Sequence, residues 1–335
     1  MKTLRLPLAV LAGVAATAHA PAAEPAAPPQ YVVISFDGAG PIGQWERSRA
    51  LARETGAHFT YFLSCVYLLT PQTKTLYQPP GMKPGRSNVG FAESRDDVAA
   101  RLSEIWAARG EGHDIGSHAC GHFDGKDWSA ADWTAEFDAF RRILRDAWTI
   151  NGIDGEPEGW RAFATSGVAG FRAPYLSTGK ALDAALAANG FRYDASGVSR
   201  GPVEPVERGG GALHGLARFS LPLIPEGPKA RPIIAMDYNL YVRHSGGVEE
   251  PDSEGAFEQR AYAAFRDAFD KEYGGGRTPL QLGFHFTLMN DAAYWRALER
   301  FARETCGKPD VRCVSYAELA DAIFPRATSA VGGAD

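Results

Sequence analysis

Apolar residues recur along the chain in two alternating rhythms: short runs that stop at a polar residue or glycine, and longer stretches with helical spacing. Tyr31-Val32-Val33-Ile34-Ser35-Phe36 is a β-branched and aromatic run ending at Asp37-Gly38, which predicts a buried first strand. Residues 45–55 read as a helix, and His58-Phe59-Thr60-Tyr61-Phe62-Leu63 as a second strand. Residues 71–92 carry Pro79-Pro80-Gly81 and Pro84-Gly85 and read as loop. From Asp96 to Ala108, Val98, Leu102 and Ile105 share one helical face. His113 to Ser117 then forms a short strand.

Ser129 opens a further helix with Asp132 in its first turn, near the positive end of the macrodipole. Trp133, Phe137, Phe140, Leu144 and Trp148 continue it at helical spacing, a stripe suited to the core. Residues 151–169 are Gly-rich loop, and Val168 to Phe171 leads into Arg172-Ala173-Pro174-Tyr175. A helix opened by Ser177 closes at Asn189-Gly190, followed by Phe191-Arg192-Tyr193-Asp194. Ile233 to Asp237 is a late strand, residues 243–255 a polar loop, and Leu280 to Phe286 the last clear strand. A helix from Asp291 to Thr305 follows, and Ser315-x-x-Glu318 is a capping box for a final one.

Strands alternating with helices imply a mainly parallel sheet. Asp37, His118, His122, Arg172, Asp194 and His285 all fall where strands end at their carboxyl side. In an α/β barrel that end is where sites form. One domain building one site is the expectation.

The chain has 335 residues. Lys2 and Arg5, the apolar run Leu6–Ala16 and the small-x-small triplet Ala18-His19-Ala20 make residues 1–20 read as a cleavable secretory signal. Residues 21–29 are a Pro/Ala linker, residues 30–325 one folded domain, and residues 326–335 a flexible tail. Such a leader predicts a secreted or periplasmic protein. The leader's apolar run is too short to span a bilayer, and no later stretch is long enough, so the mature chain is expected to carry no membrane span. The formal charge of −5 leaves no electrostatic footprint for nucleic acid.

Export permits disulfides. Cys306 and Cys313 flank a short loop and form the first candidate bridge. Cys65 and Cys120 form a second candidate, against two readings that compete with it: buried free thiols, or Cys120 as a metal ligand.

His118 and His122 stand four apart, and neutral imidazole is a favoured ligand for zinc-like cations. The zincin helix needs Glu directly after the first His, where Ala119 stands, and Gly116 and Gly121 also argue against a helix. The pair is therefore read as leaving the end of a strand. Asp37 alone could cap a turn, and His285 alone could be a satisfied core histidine. His58, His113, His214 and His244 read as structural or surface residues.

The order of motifs is more specific than any one of them. Ser35-Phe36-Asp37-Gly38, His118-x-x-x-His122, Phe171-Arg172-Ala173-Pro174-Tyr175 and a late His on a strand resemble the NodB-homology polysaccharide deacetylases, the family-four carbohydrate esterases. Arg172-Ala173-Pro174-Tyr175-Leu176 and Phe191-Arg192-Tyr193-Asp194 are similar to the chitin-deacetylase-like branch. The resemblance runs from about Tyr31 to Ile323. It implies a deformed (β/α) barrel with fewer than eight strands, and metal-dependent hydrolysis of a linear amide C–N bond, removing acetyl from N-acetylated amino sugars. It implies a divalent metal, zinc by analogy, held by His118 and His122, with Asp37 as one candidate further ligand. Asp37 would be the base, Arg172 its partner, His285 the general acid and Asp194 the carboxylate that tunes it, with Asp237 as rival. Tyr175 would supply an oxyanion N–H. The partner is an N-acetylated glycan, and the chain is expected to act as a monomer.

Two departures stand out. The family's first motif carries two adjacent aspartates, and Gly38 occupies the second position. Water, Asp37 itself or another carboxylate such as Asp124 would have to complete the ion's shell. Phe286-Thr287-Leu288 follows His285 where the branch tends to carry a Trp. Gly38 keeps two alternatives open: a catalytically silent glycan binder, or an amidohydrolase of small molecules.

Overall fold

The β-branched run at the start of the chain forms β1 (Gln30–Gly38), the strand from which the rest of the sheet is laid out. It pairs in parallel with β2 (Thr60–Leu63) on one side and with β9 (Leu280–His285) on the other. From β2 the sheet continues in parallel through β3 (Asp114–Ser117), β4 (Gly170–Phe171), β5 (Tyr193–Ser199) and β7 (Leu216–Glu226). Residues 28–208 and 215–325 are described in this computed structural model. The leader and most of the linker, the tail after 325, and His214 lie outside the described residues.

A bridge between Met236 and Gly283 closes the wall. The Gly283 amide donates to Ala235 O at 2.9 Å, and the Ala235 amide to Pro222 O at 2.9 Å. The staves β1, β2, β3, β4, β5, β7 and β9 thus curl into a single-domain deformed (β/α) barrel, with fewer than eight parallel staves among the described residues. Three short strands add to its edges: β6 (Val206–Arg208) and β8 (Arg231–Ile234) pair antiparallel with β7, and β10 (Val311–Cys313) pairs in parallel with β1.

Helices α1 (Ile42–Thr55), α2 (Arg95–Gly110), α3 (Ala130–Ile150), α4 (Trp160–Ala162), α5 (Lys180–Ala188), α6 (Asp237–Ser245), α7 (Ala256–Tyr273), α8 (Met289–Thr305) and α9 (Tyr316–Ile323) complete the chain. Ser129–Asp132 and Ser315–Glu318 both form reciprocal capping boxes, the former as the first turn of α3 and the latter of α9. The aromatic stripe of α3 is buried as its spacing predicts. Among the described residues no helix is long and apolar enough to cross a membrane.

The pleat divides β1 between two cores. Val32, Ile34 and Phe36 face the helices, packing with Phe59, Tyr61, Phe284 and Trp295. Val33 faces the barrel interior with Phe62, Tyr193, Ala195, Phe219 and Tyr316. Ser35 and Asp37 continue that inward face.

Two strands escape the sequence pattern, and two local expectations are corrected. β7 is eleven residues long yet carries Pro222 and Pro225, which argue against a strand by pattern; both are accommodated where the barrel wall gives way to the β7–β8 hairpin. β10 is too short to show a period. The late strand stops at Ile234, because Asp237 begins α6, whose end at Ser245 also shortens the expected polar loop. The supposed loop at 151–169 includes α4 and a π turn at Phe163–Gly167.

Two disulfides join Cys65 to Cys120 and Cys306 to Cys313, with Cα–Cα distances of 4.4 and 5.4 Å. Cys120 is therefore not a thiolate ligand.

Trp295 is fully buried, stacks on Phe36 at 5.2 Å, and its Nε1 donates to His285 O at 3.0 Å. Trp295→Ala is expected to lower unfolding free energy by about 3–5 kcal/mol. Urea denaturation checks this, and a loss under about 1 kcal/mol would show that the helix-side core does not depend on this ring.

Candidate active site

The inward face of β1 places Asp37 at the carboxyl end of the barrel, level with His285 on β9. Arg172, just past β4, reaches across the interior to meet it. Its Nη1 donates to Asp37 Oδ1 at 2.9 Å and to Ser35 Oγ at 2.8 Å. Its Nε donates to Ala195 O at 3.0 Å, and its Nη2 to Tyr316 Oη at 2.9 Å. The guanidinium lies 4.4 Å from the centre of the Phe62 ring. Neither side chain of the pair is more than 3% exposed. Burial alone would raise the Asp37 carboxyl, but Arg172, with His118 and His285, outweighs it and holds Asp37 below its ordinary value.

His118 and His122 leave β3 as the pattern indicates, and their ring centres are 5.0 Å apart. His118 Nδ1 is 2.8 Å from Arg172 O. A carbonyl can only accept, so Nδ1 carries the proton and Nε2 is the lone-pair nitrogen. Burial pushes His118 down to about 3 and lowers His122 as well, so both rings are neutral near pH 7.

His285 is held differently. Its Nδ1 is 2.7 Å from Asp237 Oδ1, and its backbone N–H donates to Asp237 Oδ2 at 2.7 Å. Burial would lower this imidazole, but the Asp237 carboxylate wins and its pKa is raised. The expectation that Asp194 tunes His285 is corrected by this geometry. Asp194 is buried on β5, where Oδ1 accepts from Ser196 and Oδ2 pairs with Arg218. Ser196 Oγ accepts the Ala173 amide at 2.8 Å, so Asp194 braces the backbone beside Arg172 and does not touch the histidine. The signal that favours Asp237 is positional: it follows the segment that closes the barrel against β9.

Tyr175 sits in a turn with φ 58°, is 60% exposed, and its ring centre is 5.0 Å from that of His122. Across the mouth, Tyr238 is 52% exposed with its ring 6.0 Å from His285. No pattern in the sequence singles out Tyr238.

The ion that the resemblance implies can be tested against these side chains. Among the described residues there is no group of three or more His, Cys, Asp or Glu that could hold a metal ion. Asp124 is exposed and engages Lys126 N and Ser177 Oγ. Gly38 has φ +87°, a backbone that L side chains rarely adopt, and a Cβ there would face the Tyr67 ring at 3.9 Å. The loss of the second aspartate is thus built into the backbone. The three-ligand centre expected from the family does not fit this chain.

No family model matches the chain, and no curated protein does. Solved structures share the fold. A candidate polysaccharide deacetylase from Mycobacterium smegmatis is 16% identical, with 91% of this chain and 93% of that one covered and a TM-score of 0.54. Another from Pseudomonas aeruginosa is 14% identical, with 89% and 92% covered and a TM-score of 0.54. An allantoinase is 15% identical, with 89% and 92% covered and a TM-score of 0.52. The chain therefore shares its fold with polysaccharide deacetylases and with an allantoinase.

A histidine whose folded pKa is raised contributes stability that is fully present below its unfolded pKa, about 6.5. That stability is lost as pH rises through the folded value. Asp237→Asn removes it. The variant is expected to be weakened more at about pH 5 than at about pH 9 relative to the parent, by urea unfolding at each pH. A gap that grows toward alkaline pH would contradict the His285–Asp237 coupling.

Proposed function

We propose that the chain is a hydrolase that removes acetyl groups from N-acetylated amino-sugar glycans. The observation that carries this reading is the opposed pair of titratable units at one barrel mouth, Asp37–Arg172 and His285–Asp237. One is held ionised and the other is held protonatable, the division that acid–base hydrolysis of an amide needs.

In this reading, Asp37 accepts a proton from the attacking water. Arg172 keeps that carboxylate charged and aimed, since all its contacts are fixed by Ser35, Ala195 and Tyr316. His285 donates to the leaving amine, with Asp237 fixing its tautomer and stabilising the imidazolium. His118 and His122, neutral and adjacent, line the space between, and the Tyr175 turn offers a backbone donor toward an oxyanion. Folding of residues 30–325 as one unit after a cleaved leader, and secretion or a periplasmic location, complete the proposal; the two disulfides fit that setting.

Two exposed tyrosines flanking the mouth favour an extended substrate with sugar faces to cover over a small amide in a closed cavity. The alternative is a silent glycan binder, favoured by Gly38 and the incomplete ligand group. Turnover separates the two. Acetate release from chitooligosaccharides is expected for the parent. His285→Ala should lower kcat by roughly 10²–10⁴-fold with folding retained, and His118→Ala should abolish most activity. Unchanged rates in both variants would sink the assignment, while glycan binding without any acetate would identify a binder. Zinc content of the purified protein reads independently whether the His pair retains an ion.

A further inference from the structure

The turn between the two histidines adopts an unfavourable backbone. Ala119 has φ 57° and His122 has φ 55°, and neither is glycine. Such conformations persist only where surrounding contacts over-determine them. Here nearly every peptide group of the turn is claimed. The His118 amide donates to Leu63 O, and Ala119 O accepts from the Cys65 amide at 3.2 Å. Gly121 O accepts from the Asn88 amide at 2.8 Å, and His122 O from Asn88 Nδ2 at 3.0 Å.

The two inner amides go to a buried side-chain pair. Glu136 on α3 is 1% exposed and has no cationic partner among its hydrogen bonds. Its Oε1 accepts the Cys120 amide at 2.8 Å and the Tyr77 hydroxyl at 2.9 Å. Tyr77 Oη in turn accepts the Gly121 amide at 3.1 Å. Gly121 is required for this approach, because a Cβ there would lie 2.8 Å from Tyr77 Oη and 2.6 Å from the Phe123 ring.

A carboxylate buried without a counter-charge is expensive, and helix packing alone gives no reason for one at this position. We propose that Glu136 and Tyr77 are positioning residues that set the separation and orientation of the His118 and His122 rings. The proposal rests on the reading of those rings as part of the site. It also gives the 71–92 loop, which carries Tyr77 and Asn88, a role as the support of the histidine turn.

The Cys120 amide goes to Oε1 and the Tyr77 hydroxyl is shared between Oε1 and Oε2 at 2.9 and 3.0 Å, so a Gln whose oxygen takes the Oε1 place retains both bonds, whereas Glu136→Leu keeps bulk and loses them. Glu136→Gln is expected to stay within about threefold of the parent. Glu136→Leu should lose on the order of a hundredfold in kcat with KM within about threefold. Tyr77→Phe should fall between, and adding it to Glu136→Leu should cause little further loss. Native kcat in Glu136→Leu, or equal loss in the Gln and Leu variants, would overturn the proposal. Amide hydrogen exchange decides the same question if the parent releases no acetate. Protection at Cys120 and Gly121 should collapse in Glu136→Leu while β1 and β9 stay protected. Unchanged protection at those two amides refutes the clamp, whatever the fate of the deacetylase reading.

Discussion

The buried contact between Arg172 and Asp37 is the constraint around which this barrel is arranged. A guanidinium in a dry interior is tolerable only if its donors are satisfied and its charge is matched. Ser35, Asp37, Ala195 and Tyr316 meet that demand from β1, β5 and the start of α9. Those partners line the interior from separate stretches of the chain, so the ion pair fixes the spacing of strands far apart in sequence. Breaking such a pair by removing one partner typically costs about 3–5 kcal/mol. The carboxylate at the mouth is thus ionised because the barrel interior was built around its counter-charge.

The same logic explains why the two ends of the site differ. Asp37 is sunk beside a permanent cation, and its proton affinity falls. His285 stands beside an anion at the rim, 26% exposed, and its proton affinity rises. His118 has burial without an anion in hydrogen-bond contact, and it stays neutral. Three environments within one mouth separate three protonation states, which no single sequence motif encodes.

Much of this was legible in the chain. β1, β9 and the α3 stripe follow from β-branched runs and helical spacing, because each buries a face whose period is local. Asp37, His118, His122, Arg172 and His285 converge because all end strands of one parallel sheet. What was not legible depends on distant contacts. Pro222 and Pro225 hide β7, since the pattern does not show that Pro222 meets its neighbour through its carbonyl, which accepts the Ala235 amide, and not through its missing amide. The choice between Asp194 and Asp237 turns on which strand closes against β9, a fact of topology. Gly38 was visible as a departure, but the φ of +87° that fixes it was not.

The seam of the barrel has a consequence for how such a chain can change. Ala235 and Met236 join β7 to β9 through a single bridge, and the next residue is Asp237. Three consecutive positions therefore act as clasp and as anchor of the acid. A substitution that loosens the clasp shifts the histidine's partner in the same move, and one that retunes the histidine pulls on the clasp. Closure and proton affinity are therefore tied together here, and it is the loops above the rim whose shape can vary without reopening the wall.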